Sequence, residues 1–490
     1  MTESAPSGGT GRAARLRRIT RLPLLSPRQW KRRLVYWCGA IIVAAIAILF
    51  ARAADVAQGL FTAALHGHAA LALLIVPAGL AVSVVLTRRV FPGAQGSGIP
   101  QTIAALHMHD PRAIDGVLSM RVAIGKIGLT LLGLASGASI GREGPTVQIG
   151  AAVMHALGKL LQLPRIEMQR ALVLAGGAAG VAAAFNTPVA GIVFAIEELS
   201  HSFEARTSGT VLTAVILAGI TTVAFAGNYS YFGMISAQLD FGASWVAIAL
   251  CALAGGVLGG VFSQLLVSAS RGLPGRAGRF VMEHPAAFAV LCGLVLAAIG
   301  IASGGSTYGT GYVQARSLVE GTSHLAWSFA PLKLLATLVS YLSGIPGGIF
   351  APSLAVGAGL GDWLSHLVPG APVGAVVLLG MVAYFAGVTQ APITSTVIVM
   401  EMTDNQRMTI PLLATAMLAF GISRLICRRP LYGALARRFL AAVERRESQA
   451  RRPPQMIRPR RRRSATTWSA RSSGTKPTVR RWISGVCGAS

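Results

Sequence analysis

The sequence predicts an all-α polytopic membrane protein built as two related halves of tilted and broken helices. Three observations carry this. Charged residues are 12% of the 490-residue chain against 53% hydrophobic, with mean hydropathy +0.59, whereas soluble domains carry about 25% charge. Apolar stretches recur along most of the length. One Gly/Pro-rich signature occurs twice, at constant spacing.

The apolar stretches come first. A helix needs about 20 predominantly apolar residues to cross a bilayer. Tyr36–Phe50 (extended past Arg52), Leu71–Leu86, Leu212–Ala226, Trp245–Leu266, Ala286–Ile301 and Val373–Val388 qualify. Many of the 57 glycines lie inside such stretches, and small residues let helices approach closely in lipid. Other segments are too short or too broken by Gly and Pro for one straight span. Broken helices at membrane depth are tolerated where they are buried in protein or line a watery cavity.

The formal charge of +27 crowds into two flanks, Arg12 to Arg33 and Arg424 through Arg460–Arg463 to Arg481. Basic flanks of apolar segments read as cytoplasmic and attract anionic headgroups, so this charge marks topology rather than nucleic-acid binding. The resulting plan is a basic cytoplasmic arm with an amphipathic helix at 1–33, a transmembrane body at 34–440, and a basic disordered tail at 441–490 too short for a regulatory domain. No cleavable signal peptide is evident. Five cysteines, Cys38, Cys251, Cys292, Cys427 and Cys487, are scattered without pairing or zinc spacing. No metal and no cofactor is expected.

The repeat sets Ser136–Pro145 (S-G-A-S-I-G-R-E-G-P) beside Ser343–Pro352 (S-G-I-P-G-G-I-F-A-P). The offset is 352 − 145 = 207, and it also places Gly150 on Gly357 and Lys126 on Lys333. Asn186–Glu197 likewise resembles Gln390–Glu401, each with Pro nine residues before Glu. The halves span about 70–205 and 245–405. Paired halves broken at matching positions mark many transporters, with the site at the repeat interface.

Three Gly-rich motifs open apolar runs: Gly96–Pro100, Gly141–Pro145 and Gly348–Pro352. Alone, each reads as a helix-breaking turn. Together they leave helix N-termini with unpaired N–H groups and partial positive charge, which make an anion site without a buried cation. Ser97 adds a hydroxyl to such a site. Glu143 lies inside one motif, and an intramembrane carboxylate is a functional hypothesis by default. It is either a protonatable gate that competes with the anion or the partner of Arg142 in a salt bridge. Glu197 has a repeat partner in Glu401 and reads as structural. Glu198 lacks one and reads as a proton relay. Tyr432 offers a phenol to an anion or serves as an interfacial belt tyrosine. His107–Asp110 (H-M-H-D) reads as a solvated loop, and Lys126 and Lys333 as buried structural or electrostatic cations. An intramembrane hydrolase would need a paired nucleophile and base or an H-E-x-x-H helix, and neither appears. A membrane scaffold or sensor working through the basic termini stays open.

These motifs, with the strings G-R-E-G-P-T-V-Q-I-G and E-M-T-D-N (Glu401–Asn405), resemble the CLC family of chloride channels and chloride/proton antiporters from G-S-G-I-P to R-P-L-Y. The resemblance implies two inverted-topology repeats and a homodimer with a pathway in each subunit. It implies chloride ligands at Ser97 and Tyr432 and at the N–H groups of Ile349 and Phe350, with Glu143 as gate and Glu198 as inner proton glutamate. Gly96, Gly98, Ile99, Pro100, Gly141, Arg142, Gly144, Pro145, Gly348 and Pro352 complete the selectivity motifs. A carboxylate at Glu198 favours the antiporter over a passive channel on the same fold. Ser97 rather than proline favours chloride over nitrate, and the intact motifs separate the chain from fluoride-selective relatives. Such a protein sits multi-pass in the cell membrane, the inner one in bacteria, with both termini cytoplasmic.

Overall fold

Each apolar stretch named above folds as helix, because backbone N–H and C=O groups in lipid must be paired within their own segment. The computed structural model describes residues 27–162, 166–200, 205–227, 230–239, 242–272 and 274–450. In chain order the helices are α1 (Pro27–Ala64), α2 (Ala72–Arg89), α3 (Ile99–His107), α4 (Pro111–Leu118), α5 (Met120–Ala135), α6 (Glu143–Leu160), α7 (Ile166–Phe185), α8 (Pro188–Phe194) and α9 (Ala205–Ala226). They continue with α10 (Val246–Ser270), α11 (Gly275–Glu283), α12 (Pro285–Ala302), α13 (Tyr312–Val319), α14 (Phe329–Leu342), α15 (Phe350–Ser365), α16 (Val373–Thr389), α17 (Pro392–Thr403), α18 (Thr409–Ile426) and α19 (Leu431–Ala450). Among the described residues seven helices are long and apolar enough to cross a membrane. Strand-like pairing there is confined to two isolated bridges, Gly96 with Pro346 and Gly141 with Gly348.

The order of elements repeats, and the halves are inverted copies. A long helix (α1, α10) precedes a span (α2, α12), then a short helix capped by a left-handed glycine (α3 by Gly98, α13 by Gly311). A helix with a fully buried lysine follows (α5 with Lys126, α14 with Lys333). Next come the packed pairs α6–α7 and α15–α16. Gly150 meets the Gly176 carbonyl in the first pair, and Gly357 meets the Gly380 carbonyl in the second, with no room for a Cβ at either position. Close helix approach through small residues is how membrane helices gain dispersion contacts without a hydrophobic driving force. Asn186 and Gln390, repeat partners, both take left-handed backbone (φ 56° and 61°) just before the prolines that start α8 and α17.

Two compact units divide after Glu444. The first holds the apolar body. The second, Arg445–Ser490, is described only to the end of α19 at Ala450. The basic arm up to residue 26 and the tail from residue 451 lie outside the described residues, and with them most of the expected N-terminal amphipathic segment and C-terminal tail.

Candidate functional site

All three Gly-rich motifs start helices: α3 at Ile99, α6 at Glu143 and α15 at Phe350. Their turns touch one another. Gly141 and Gly348 exchange both backbone hydrogen bonds at 2.7 Å. Gly96 N–H donates to the Ile345 carbonyl (3.3 Å), and Gly347 N–H donates to the Gly96 carbonyl (3.1 Å). A Cβ on Gly98 would fall 2.9 Å from the Gly144 carbonyl oxygen, and one on Gly348 would fall 3.0 Å from the Gly144 nitrogen. Glycine is required because backbone packs on backbone; at Gly98 (φ 105°) the conformation also demands it. Ile99, Pro100, Pro145 and Pro352 fill the first turns and are buried. The positive ends of the α3, α6 and α15 dipoles are thereby brought together, and such ends favour negative charge.

The polar side chains at this junction are unusual for a protein interior. Ser97 is 1% exposed and Tyr432 0% exposed, and neither hydroxyl makes a hydrogen bond of ordinary geometry. The Tyr432 phenol is near enough to interact with Ser97, and it senses Glu198, Tyr341 and Glu143 through space. Its ring also packs 5.9 Å from that of Phe350, which stands edge-on to Phe385 at 4.7 Å. Burial excludes the belt-tyrosine alternative, since a belt residue keeps its hydroxyl at the headgroups. The N–H groups of Ile349 and Phe350 belong to the N-cap and first residue of α15, beside the same aromatic cluster.

Glu143 is fully buried at the first position of α6. Its carboxylate lies against the backbone N–H groups of Arg142, Glu143 and Ala351, at the start of both α6 and α15, without an ordinary hydrogen bond. The Arg142 guanidinium turns instead to α1, where Nη1 donates to Asp55 Oδ1 at 2.7 Å and to the Ala51 carbonyl. The salt-bridge alternative for Glu143 therefore gives way to an Arg142–Asp55 pair.

Glu197 and Glu198 sit in a π-helical turn, Ala195–Ser200, that extends α8. The Glu197 carboxylate accepts from the N–H groups of Ile393 (3.2 Å) and Thr394 (2.6 Å). Its repeat partner Glu401 accepts from Val189 (3.1 Å) and Ala190 (2.6 Å). Each carboxylate thus caps the broken helix of the other half. Glu198, 3% exposed, leaves Oε1 without a partner.

These starts, this reciprocal capping and this inversion form a family pattern, and a family model described as voltage gated chloride channel matches residues 78–424. The chain belongs to the CLC family of voltage-gated chloride channels. Among CLC proteins it is 32% identical over 429 residues to the H(+)/Cl(-) exchange transporter ClcA of Yersinia pestis, covering 82% of this chain and 87% of that protein. It is 31% identical over 417 residues to ClcA of Citrobacter koseri, covering 81% and 86%. A slow cyanobacterial Cl-/H+ antiporter superposes with TM-score 0.72 at 26% identity, covering 85% of this chain and 99% of that one. A CLC-type fluoride/proton antiporter (TM-score 0.70, 22% identity, covering 83% and 99%) is alike in fold.

Around this CLC site the structure gives Lys126, already marked by the repeat, its partners, and adds Gln148, which the sequence pattern does not reveal. Lys126 Nζ donates to the carbonyls of Gly96 (2.8 Å) and Gln95 (3.3 Å). Gln148 Nε2 holds Gly93 (3.2 Å) and Val117 (2.7 Å). Both fix the loop that carries Ser97. In H-M-H-D, expected as a solvated loop, His107 is instead the last residue of α3, with Nδ1 meeting the Ile103 carbonyl at 2.8 Å; Asp110 caps α4 by accepting from Arg112 N–H at 3.0 Å, and His109 meets Arg170 of α7 at 3.2 Å.

Proposed function

We propose that the chain exchanges chloride for protons across the membrane, with Glu143 as the gate and Glu198 as the inner proton relay. The observation that carries this reading is the Glu143 carboxylate lying at the joined N-termini of α6 and α15, where an anion would be favoured. The relatives named H(+)/Cl(-) exchange transporter and Cl-/H+ antiporter support the coupling.

Two negative charges at 4 Å repel by about 4 kcal/mol at an effective dielectric of about 20. A chloride ion and an ionised Glu143 therefore do not share this point. Protonation removes the charge and frees the carboxyl from the N–H groups, and chloride takes its place between Ser97, Tyr432 and the N–H groups of Ile349 and Phe350. No lysine or arginine touches the anion in this scheme, so release is not slowed by a full positive charge. Deprotonation of Glu143 expels the anion and hands the proton on. Glu198, buried and within electrostatic reach of Tyr432, passes protons to and from the other face.

The chain works as a homodimer with a separate pathway in each subunit. The basic flanks place both termini in the cytoplasm, against anionic headgroups. The protein resides in the cell membrane, the inner one if the source is bacterial.

Proteoliposomes with a chloride gradient test the reading. The wild type drives protons uphill, Glu143→Gln passes chloride without moving protons, and Glu198→Gln also loses proton movement while keeping chloride flux. Continued proton pumping by Glu143→Gln would sink the mechanism.

A further inference from the structure

The Ser97 motif has a second copy. Gly309, Thr310, Gly311 and Tyr312 repeat the pattern of Gly96, Ser97, Gly98 and Ile99 at an offset of 311 − 98 = 213. The backbones agree: φ is 64° and 105° at Gly96 and Gly98, and 66° and 79° at Gly309 and Gly311. Helices α3 and α13 begin at the residue after the second glycine in each copy. The repeat-related lysines do the same work in both copies, Lys126 donating to the Gly96 carbonyl and Lys333 to the Gly309 carbonyl, each at 2.8 Å.

One difference separates the copies. The Ser97 hydroxyl makes no ordinary hydrogen bond. Thr310 instead holds a guest, because Gln58 Oε1 from α1 accepts from the Thr310 N–H at 3.2 Å and from its Oγ1 at 3.3 Å. The amide packs so closely over Gly309 that no Cβ fits there. The fully buried Lys333 lies beneath, with Nζ 3.3 Å from where a Cβ on Gly311 would stand. Asp55, one turn earlier on α1, is neutralised by Arg142. An N–H, a hydroxyl and a nearby buried cation suit a small anion, and a side-chain carbonyl is the neutral group that best imitates one.

We propose that Gln58 is an internal ligand: its side-chain oxygen fills a second small-anion cradle at Thr310, the inverted counterpart of the Ser97 cradle, and keeps it closed. Because the halves are inverted, the second cradle faces the opposite side of the membrane. The present chain thus has one open cradle and one plugged by α1. The identification of the ligand class rests on the anion reading of the Ser97 site.

Bromide-soaked crystals of the full chain test this through anomalous scattering. In wild type no peak lies at Thr310, and in Gln58→Ala one appears within hydrogen-bond distance of the Thr310 nitrogen. Gln58→Glu, whose carboxylate fills the cradle itself, shows none. A peak at the Ser97–Tyr432 site alone in Gln58→Ala overturns the proposal and leaves the transport reading standing. Peaks at neither position overturn both. A wild-type peak at Thr310 also overturns it, since the cradle is then not closed. Melting of the purified chains is an independent readout: Gln58→Glu melts at or above wild type, and a lower Tm contradicts the internal-ligand role.

Discussion

Lys126 and Lys333 are fully buried in an apolar body, where an unpaired cation would be costly. Each is satisfied by carbonyls of a Gly-rich turn, so each fixes the shape of that turn. Lys126→Met removes one donor from each of the Gln95 and Gly96 carbonyls, which keep Gln101 Nε2 and the Gly347 N–H, at a cost of about 1 kcal/mol for each lost hydrogen bond. The Ser97 loop relaxes, and chloride affinity, measured by isothermal titration on purified protein, falls by about tenfold or more, equal to about 1.4 kcal/mol. Lys333→Met disturbs the other copy and leaves that affinity within about twofold of wild type. Equal losses in both variants would show that the lysines act only on overall stability. At this scale much of the site was legible. Ser97, Glu143 and the glycines announce themselves as turn and charge signals in an apolar setting. The Arg142–Asp55 pair did not, because its members lie 87 residues apart and Asp55, 69% exposed at its side chain, resembles any helix-end carboxylate.

Among the elements, the helix starts were readable from Gly and Pro, since these residues fix where a helix can begin. The π turn at Ala195–Ser200 was not, because no side-chain pattern marks a one-residue change of winding, although such turns recur at functional sites. Its effect is to set neighbouring carboxylates on different tasks, Glu197 on the α17 N-terminus and Glu198 in the buried interior. The second cradle is hidden for a related reason: its offset of 311 − 98 = 213 differs from the 352 − 145 = 207 of the Gly-rich signature and from the 390 − 186 = 204 of the Asn186 and Gln390 segments, so no single register shows it. The reciprocal caps make a paired prediction. Glu197→Gln and Glu401→Gln each weaken two charge-assisted hydrogen bonds to a helix N-terminus, worth about 1.5–3 kcal/mol apiece in full. Both lower the melting temperature by similar amounts and leave the ratio of chloride to protons unchanged in those molecules that fold. A coupling defect confined to Glu197→Gln would instead assign it to the proton route.

For the molecule as a whole, the motifs delimit the first half at about 70–205, and the order of elements sets α1 ahead of it as α10 stands at the start of the second. The motif-poor long helices were invisible to that comparison because lipid-facing surfaces accept any apolar side chain. Helix α19 runs from Leu431 to Ala450, and Tyr432 lies in its first turn. Leu435 and Ala436 are buried, and Phe439, Leu440 and Val443 pack on the core. Every residue of the proposed pathway therefore precedes Ala450. Removing residues 451–490 should keep chloride-driven proton uptake within about twofold of the full chain in neutral-lipid vesicles, where the attraction of a polybasic segment to anionic headgroups, about 1 kcal/mol per basic residue, is absent. Ending the chain at Arg429 removes Tyr432 and the helix that seals the aromatic cluster, and should abolish coupled transport. Loss of uptake on removing 451–490 alone would mean that the Arg-rich tail takes part in transport, and that the functional unit is larger than the two inverted halves.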